Sequence, residues 1–458
     1  MDERPPKDHD EWLRWAGEKH ARHEAEKTKA KANGNDPNPS SPALPVITVE
    51  GGKRHEAADQ GLAALVCADV AFYQRDRKIQ RVALVKAKNT SGDIMEVPGI
   101  VSVDSAMMGR ELGRSALWRR WDMKQKKHVR INPPTDVVSQ ILGMVGEWPF
   151  DPLNGIIQCP TLRRDGSLLN TPGYDEATGL VLVGGVTVPK ILKRPTRDEA
   201  LKQLNLLRQL LIEFPFVDEA SKTVALSMMI TPIVRAAMTV APLHLITKPS
   251  PGTGGSYLAD CASMIATGER CAVECMAPKY EETEKRLIGS ALSGLPIIAL
   301  DNTRGEIAGD FFCQITERPL MSLRALSKSD KHRVPNSFTM FANGNNATVA
   351  EDMVRRTIKA GLDANLEHPE KRKFNGNPLD TIRRNRGDYI AAALTIPLAY
   401  AAATDRPAPP PPLPSFEEWS QIVRDPLIWL GCADPVKTQD KLRSGDPKKA
   451  ELAAVFEA

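Results

Sequence analysis

The stretch between His244 and Asp260, HLITKPSPGTGGSYLAD, has the residue types of a phosphate-binding loop. Such a loop needs glycines so that backbone N–H groups can surround the phosphates, a lysine for the β and γ oxygens, and a serine or threonine for Mg²⁺. Against the pattern G-x-x-x-x-G-K-[ST], Pro249 replaces the first glycine and Gly255 replaces the lysine, while Ser256 keeps the hydroxyl. The stretch therefore predicts an anion site that lacks its usual ammonium group.

Consecutive positions of this loop are the candidate nucleotide-binding residues. They are Pro251, Gly252, Thr253, Gly254, Gly255, Ser256 and Tyr257. The apolar run APLHLIT before them predicts a strand, and SYLADCASMIATG after them predicts a helix that ends at Gly268. A glycine loop between a strand and a helix directs the helix N-terminus at an anion. We predict ATP and Mg²⁺ as the cofactors.

An acidic residue follows a second apolar strand. The run LPIIALDN ends in Asp301, whose carboxylate we predict to hold Mg²⁺ through water together with Ser256. Asn302 stands where a second acid is usual in this motif, so Glu306 or Asp310 in the following loop is the carboxylate expected to orient a water molecule. The structural alternative is that Asp301 caps a helix.

A third predicted strand, SFTMFANGNN, ends in Asn343, Asn345 and Asn346. An amide suits the polar group that contacts the γ-phosphate or the attacking water, and we predict this role for Asn345. In the following run EDMVRRTIKAGLD, Arg355 or Arg356 is predicted to reach the nucleotide of a neighbouring subunit. A turn for the asparagines and a surface salt bridge for Arg355 are the alternatives. The occurrence of all these features in this order favours an ATPase.

In these segments the chain resembles the helicase and primase-helicase proteins of prophages, plasmids and integrated elements. These proteins are related to superfamily 3 helicases and more loosely to AAA+ ATPases. The resemblance is carried by PSPGTGGSYLAD, ETEKRLIGSALSGLPIIALDN, FANGNN, DMVRRTIKAGLDANLEHPEKRKF, SFEEWSQIVRDPLIWLGCADPV and, upstream, PTLRRDGSLLNTPGYDEATGL. It implies a homo-oligomeric, hexameric motor that acts on DNA in the replication of a mobile genetic element, with a primase or replisome partner.

Members of this family usually carry GTGKS where this chain has GTGGS, so the resemblance implies weak or lost ATP hydrolysis. Lys248, in the preceding strand, would have to fold back over the loop to replace the ammonium, and we do not expect it to do so. Restoring the lysine with Gly255→Lys should raise nucleotide affinity if the loop is properly formed. The alternative function is a non-catalytic DNA-binding or scaffold subunit that retains the ATPase fold.

The composition restricts the class of protein. The 458 residues allow two or three domains. With 61 Lys and Arg against 57 Asp and Glu, the net charge is only +4, so any nucleic-acid site must be a local patch. Cys271 and Cys275, the closest pair of the 7 cysteines, lack partners for a zinc site. No apolar run reaches the roughly 20 residues of a membrane span, and no signal peptide is evident, so we expect a cytoplasmic protein.

Two basic segments are candidates for DNA contact. In RALSKSDKHRVPN, Lys328, Lys331 and Arg333 are the predicted DNA-binding residues, with a solvated turn as the alternative. A hairpin predicted from ALWRRWD and KHVRINPP carries further cations beside Trp118 and Trp121, which either stack on bases or turn into the core. These cations are Arg119, Arg120, Lys124, Lys126, Lys127 and Arg130.

The predicted fold class is α/β, with a P-loop NTPase core of the AAA+ and superfamily 3 helicase type. The predicted segments are a disordered charged tail (1–45), a mixed α/β N-terminal domain (46–195), a helical connector (196–239), the core (240–375), a helical segment (376–405), a Pro-rich linker (406–414) and a helical C-terminal region (415–458). Ser415 and Glu418 predict a capping box at the start of the last region. That region ends without a stop signal, which predicts a truncated helix or domain.

Overall fold

A computed structural model describes residues 44–88, 94–303, 305–324 and 331–444. The predicted N-terminal tail as far as residue 43, the segment after 444 and Lys328 lie outside the described residues. The chain clusters into two compact units. One contains the residues up to Leu84 together with Ile100–Leu153, and the other contains Val85–Gly99 and the chain from Asn154 onward.

The N-terminal part of the described chain combines short strands with helices. Its elements are β1 (Val46–Thr48), α1 (Arg54–Cys67), β2 (Tyr73–Arg75), β3 (Lys78–Lys88), β4 (Ile94–Ser102), α2 (Ser105–Ser115), β5 (Leu117–Asp122), β6 (Lys127–Arg130), α3 (Thr135–Gly143) and β7 (Asp151–Pro152). One sheet has the strand order β1, β5, β6, and another has the order β4, β3, β2, β7. The β5–β6 pair is antiparallel, which confirms the predicted hairpin.

The rest of the described chain contains strands and helices in mixed order. Its elements are β8 (Gly155–Ile157), β9 (Thr161–Leu162), β10 (Leu168–Leu169), β11 (Gly173–Asp175), β12 (Leu180–Leu182), α4 (Arg197–Gln209), α5 (Glu219–Val234), β13 (Leu243–Lys248), α6 (Gly255–Thr267), β14 (Val273–Cys275), α7 (Tyr280–Ser293), β15 (Ile297–Asp301), β16 (Glu306–Ile307), α8 (Asp310–Glu317), β17 (Leu320–Arg324), β18 (Lys331–Pro335), β19 (Thr339–Asn345), β20 (Thr348–Val349), β21 (Thr357–Gly361), α9 (Pro378–Arg384), α10 (Arg386–Ala402), α11 (Glu417–Trp419), α12 (Asp425–Trp429) and α13 (Thr438–Ser444). The predicted α/β class is confirmed.

A five-stranded parallel sheet organises the second unit, with the order β14, β15, β19, β13, β21. Successive residues of its strands enter two different buried clusters. Ile246 and Phe341 pack with α5, α6 and α10, whereas Leu245 and Ala342 pack with α7 and α8. A parallel sheet covered on both faces gives continuous apolar strands. This explains why the run IIAL is apolar at consecutive positions and why β13 is buried at His244 as well as at its apolar residues.

The segment from β8 to β12 belongs to the second unit, whereas we predicted that the N-terminal domain extends to residue 195. Ile156 N donates to Gly294 O at 3.0 Å. Ser337 Oγ donates to Asn154 O at 2.9 Å. These short strands find hydrogen-bond partners in distant parts of the chain. Which unit they belong to therefore depends on contacts between residues that are remote in sequence.

The predicted capping box of Ser415 and Glu418 is wrong. Ser415 has a left-handed backbone with φ 71, and its Oγ donates to Glu317 at 2.7 Å. The Glu418 carboxylate instead accepts from Thr239 N. The helix begins at Glu417 without a side-chain cap, because tertiary partners take both groups that the local motif would use.

The Pro-rich segment 406–414 packs against the protein. Leu413 is buried, and Arg424 Nη1 donates to Pro411 O at 2.6 Å. Its backbone carbonyls therefore accept hydrogen bonds from the following helical region. Across the described ranges, the helices are too short or too polar to cross a membrane.

Candidate functional site

The glycine loop joins the carboxyl end of β13 to the first turn of α6. Gly252 and Gly254 have φ values of 79 and 105, a region that other residues rarely adopt. Gly254 is the N-cap of α6 and provides no side-chain cap, so the first amides of the helix are open to a ligand. Thr253 Oγ1 donates to Ser250 O at 2.8 Å, which fixes the turn. The loop thus presents the positive end of a helix of 13 residues.

Three polar side chains meet beside this loop. Ser256 Oγ donates to Asp301 Oδ2 at 3.1 Å. Asn343 Nδ2 donates to Ser256 Oγ at 2.9 Å and to Asp301 Oδ1 at 2.6 Å. They come from the first turn of α6, the end of β15 and the carboxyl-terminal part of β19. Carboxyl ends of parallel strands are the common ligand-binding edge of an α/β sheet.

The asparagine in this cluster is Asn343, whereas Asn345, which we predicted as the sensor, is exposed at the end of β19. The pairing of β15 with β19 ends at Leu300 opposite Ala342, so the next residues, Asp301 and Asn343, are neighbours. Asn343 is 3% exposed, and its Oδ1 has no hydrogen-bond partner among the described residues. The cluster therefore contains one buried acceptor without a partner among the described residues.

Lys248, the last residue of β13, reaches the same cluster. Its Nζ lies 3.1 Å from the point where a Cβ on Gly255 would be, and Asn343 Oδ1 lies 2.4 Å from that point. Lys248 is 9% exposed. Burial lowers the pKa of Lys248, and the nearby carboxylate of Asp301 acts in the opposite direction.

The position of Lys248 contradicts our expectation that it would stay away from the loop. Its side chain can lie beside Gly255 because that residue has no side chain of its own. The same geometry argues against the expected gain from Gly255→Lys, because its Cβ would collide with Asn343 Oδ1. The sequence signal that could have identified Lys248 is its place at the carboxyl end of the strand before the loop.

The other predicted acidic and polar residues lie around the cluster. Asn302 is exposed with φ 50, and its backbone N–H donates to Asp301 Oδ1 at 2.7 Å. Glu306 lies on β16, paired with Thr348 of β20. Within the described part of the chain, Glu306 forms no hydrogen bond with Ser256 or Asp301. Asp301 is thus the predicted carboxylate that the structure brings to the loop.

The two predicted arginine fingers differ in exposure. The Arg356 side chain is 5% exposed and forms ion pairs with Asp352 and Glu317. The Arg355 side chain is 41% exposed, and its Nε is 2.6 Å from Asp352 Oδ1. Hydrogen bonds and charge from both arginines lower the pKa of Asp352 to about 2. Of these two arginines, Arg355 is therefore the more exposed.

Residues without a sequence motif form the outer wall of the loop. A Cβ on Gly252 would lie 2.9 Å from Glu370 Cβ, and one on Gly254 would lie 3.5 Å from the Phe214 ring. Tyr257 Oη donates to Asn377. Arrangements of this kind depend on contacts between distant segments, so the sequence offers no signal for them.

The basic segments also have defined positions. Lys331 and Arg333 are exposed on β18, which pairs with β17 in an antiparallel hairpin. In the β5–β6 hairpin, Trp118 is buried and donates to Leu112 O at 3.0 Å, whereas Trp121 is 49% exposed. Trp118 therefore turns into the core, as one of the two interpretations expected, and Trp121 remains exposed at the surface.

The cysteines do not form a metal site. Among the residues that the structure describes, no group of three or more His, Cys, Asp and Glu is placed to hold a metal ion. Cys271 is buried, which raises its pKa to about 12, and Cys275 is exposed.

No protein-family model matches the chain. Part of it is similar to the movement protein P17 of Potato leafroll virus (strain Potato/Canada/Rowhani/1979), with 30% identity over 82 residues. The match covers 18% of this chain and 49% of P17, and P17 of strain Potato/Scotland/strain 1/1984 gives the same values. The chain thus spans about half the length of the curated relatives it matches.

Two solved structures have a limited similarity to this chain. The A form apo structure of the NrS-1 C terminal region is 14% identical, with a TM-score of 0.33 and coverage of 69% of this chain and 66% of that one. A JCV helicase with a bound thiazolopyridine compound is 13% identical, with a TM-score of 0.23 and coverage of 46% and 63%. TM-scores this low do not establish a shared fold.

Proposed function

We propose that the second unit is a P-loop ATPase domain of helicase type that binds ATP with Mg²⁺ and has weak or no hydrolytic activity. The observation that supports it best is the direct contact between Ser256, Asp301 and Asn343 beside an uncapped helix N-terminus. A hydroxyl and a carboxylate are ligands that Mg²⁺ accepts in nucleotide sites. The family resemblance of the sequence supports DNA as the partner and replication of a mobile genetic element as the process.

Each part of the loop has a distinct task in this proposal. The backbone amides from Gly254 to Tyr257 bind phosphate oxygens, and Ser256 and Asp301 hold the metal ion. Mg²⁺ supplies charge neutralisation for the phosphates when bound. Asn343 keeps the hydroxyl and the carboxylate in place through its two hydrogen bonds, so the ligand set is assembled before a nucleotide arrives.

Weak hydrolysis follows from the surroundings of the cluster. A water molecule that attacks a γ-phosphate needs a residue to orient it. Glu306, one of the two residues predicted for this task, forms no hydrogen bond with the cluster among the described residues, and Asn302 cannot accept a proton as a carboxylate does. These observations also favour the second candidate function, a DNA-binding or scaffold subunit that binds nucleotide without turnover.

Titration calorimetry with MgATP tests the binding proposal. We expect saturable binding that weakens when Mg²⁺ is chelated. Ser256→Ala and Asp301→Asn should each lower the affinity about tenfold or more, because a hydrogen bond to a charged group contributes about 1.5–3 kcal/mol and 1.4 kcal/mol corresponds to tenfold.

The control is Ser263→Ala, which removes a hydroxyl from the same helix away from the cluster. It should bind like the original protein. Absence of nucleotide binding at millimolar concentration, or equal affinity of all variants, would contradict the proposal.

A further inference from the structure

We propose that Lys248, at the end of β13, replaces the missing loop lysine and binds the terminal phosphates of the nucleotide. This inference rests on the proposed function and identifies the cation of the same site. In the usual motif a lysine within the loop binds the terminal phosphates. Here we assign that role to the ammonium of Lys248, which precedes the loop.

The first observation is the place of the Lys248 ammonium. Its Nζ lies 3.1 Å from the point where the side chain of residue 255 would begin. In the usual motif a lysine side chain starts from that point. Lys248 therefore brings its charge into the space beside the loop that the glycine leaves free.

The second observation is the backbone that holds Lys248. Its O atom accepts from Asn346 N at 3.0 Å, and Thr247 O accepts from Leu362 N at 2.9 Å. Lys248 also lies opposite Asn345 in the pairing of β13 with β19. Because neighbours on both sides fix the end of the strand, the side chain of Lys248 starts from a defined position beside the loop.

The third observation concerns the hydrogen bonding of the Lys248 ammonium. No hydrogen bond from Lys248 Nζ to another described residue is present. Lys248 as a whole is 9% exposed, and an ammonium that loses part of its hydration without gaining a partner is costly in free energy. Asp301 is near enough to influence Lys248 electrostatically but also takes hydrogen bonds from Ser256 and Asn343. A phosphate oxygen would give the ammonium the acceptor that it lacks.

Gly255 and Lys248 form a matched pair in this arrangement. A Cβ at residue 255 would lie 2.4 Å from Asn343 Oδ1, a distance at which atoms must move. A lysine at 255 and the present position of Asn343 are therefore incompatible. In this chain the cation comes from Lys248 on β13, and Asn343 keeps its hydrogen bonds to Ser256 and Asp301.

The experiment compares nucleotides that differ in their phosphates, with the full chain and its variants Lys248→Met and Lys248→Arg. We expect Lys248→Met to bind MgATP about 10- to 100-fold more weakly and to bind AMP within about twofold of the original protein. Lys248→Arg should retain most of the MgATP affinity because it keeps the charge. The range follows from the loss of one charge-assisted contact.

Lys359→Met is the matched control. Lys359 lies on β21, the strand next to β13, and burial lowers its pKa as it does that of Lys248. This control should bind MgATP like the original protein. Thermal unfolding of each variant shows whether it is folded.

Chemical labelling provides a measurement that needs no variant. Amine acylation of the original protein, followed by peptide mass spectrometry, should show that MgATP protects Lys248 and leaves Lys359 unchanged. Unchanged MgATP affinity of folded Lys248→Met, or equal labelling of Lys248 with and without MgATP, overturns this inference and leaves the proposed function standing if Ser256→Ala still weakens binding. Absence of MgATP binding by the original protein overturns both.

Discussion

At the residue scale, the missing side chain of Gly255 leaves room for polar groups from two neighbouring strands. Lys248 comes from β13 and Asn343 from β19, and both approach the point where a Cβ would lie. The hydrogen bonds of Asn343 to Ser256 and Asp301 depend on this space. Gly255 therefore contributes to the site because it has no side chain.

Adding a side chain at this position gives the prediction at the residue scale. Gly255→Ala should displace Asn343, lower the affinity for MgATP about tenfold, and lower the free energy of unfolding by about 1–3 kcal/mol through overpacking. Gly255→Lys should show the same losses, with no gain in nucleotide affinity. Titration calorimetry and urea denaturation measure the two effects.

Two further variants separate collision from other causes. Gly289→Ala in α7 is the matched control, because a Cβ there has no atom within 4 Å, and it should leave the stability unchanged or raise it. The double variant Gly255→Ala with Asn343→Ala removes the collision, so it should recover stability but not nucleotide affinity. A stable Gly255→Ala protein with full affinity would show that the loop has more room than the structure gives it.

At the element scale, the parallel strands determine which polar residues meet. The polar residues at the carboxyl ends of β13, β15 and β19 come together because these strands are adjacent and run in the same direction. The strand, loop and helix around Ser256 could be predicted from apolar runs and glycines, since these report local backbone conformation. The choice between Asn343 and Asn345 could not, because it depends on where β15 stops pairing with β19.

The two basic hairpins are the candidate DNA-binding elements. We expect replacement of Lys331 and Arg333 by Ala to lower the slope of log affinity against log salt by about 2, because each phosphate contact contributes about 1. Fluorescence anisotropy with single-stranded DNA over a range of salt concentrations measures the slope.

A variant of the β5–β6 hairpin that also loses two positive charges is the control. Arg119 and Arg130 lie opposite each other on this hairpin, and both are exposed. Their replacement by Ala should leave the slope unchanged if β17–β18 is the DNA-binding element. If only the β5–β6 variant lowers the slope, DNA contact is assigned to the sheet surface that also exposes Trp121.

At the scale of the whole molecule, the proposed motor differs from a scaffold in how its assembly depends on nucleotide. A ring whose subunits share nucleotide sites should assemble more strongly when MgATP is bound, by mass action. Arg355 is the candidate for the residue that completes a neighbour's site, because its side chain is 41% exposed whereas that of Arg356 is 5% exposed.

Light scattering with and without MgATP tests this difference. We expect the mass to increase with MgATP, and we expect Arg355→Ala to reduce that increase without changing nucleotide binding in dilute solution. Arg383→Ala, which removes an arginine paired with Asp380 on α9, is the control. The same mass under both conditions, together with DNA binding, would support the scaffold function.

The sequence by itself determined the local chemistry of this protein. Glycines, apolar runs and a hydroxyl next to a helix start identified the loop, and an acid after a buried strand identified Asp301, because these signals act between residues close in the chain. The tertiary structure alone decided that Lys248 and Asn343 share the space beside Gly255, that Arg356 is buried in ion pairs, and that Ser415 and Glu418 bond to distant partners. These outcomes depend on strand register and on which remote groups satisfy a buried charge or hydrogen bond, and no local pattern contains that information.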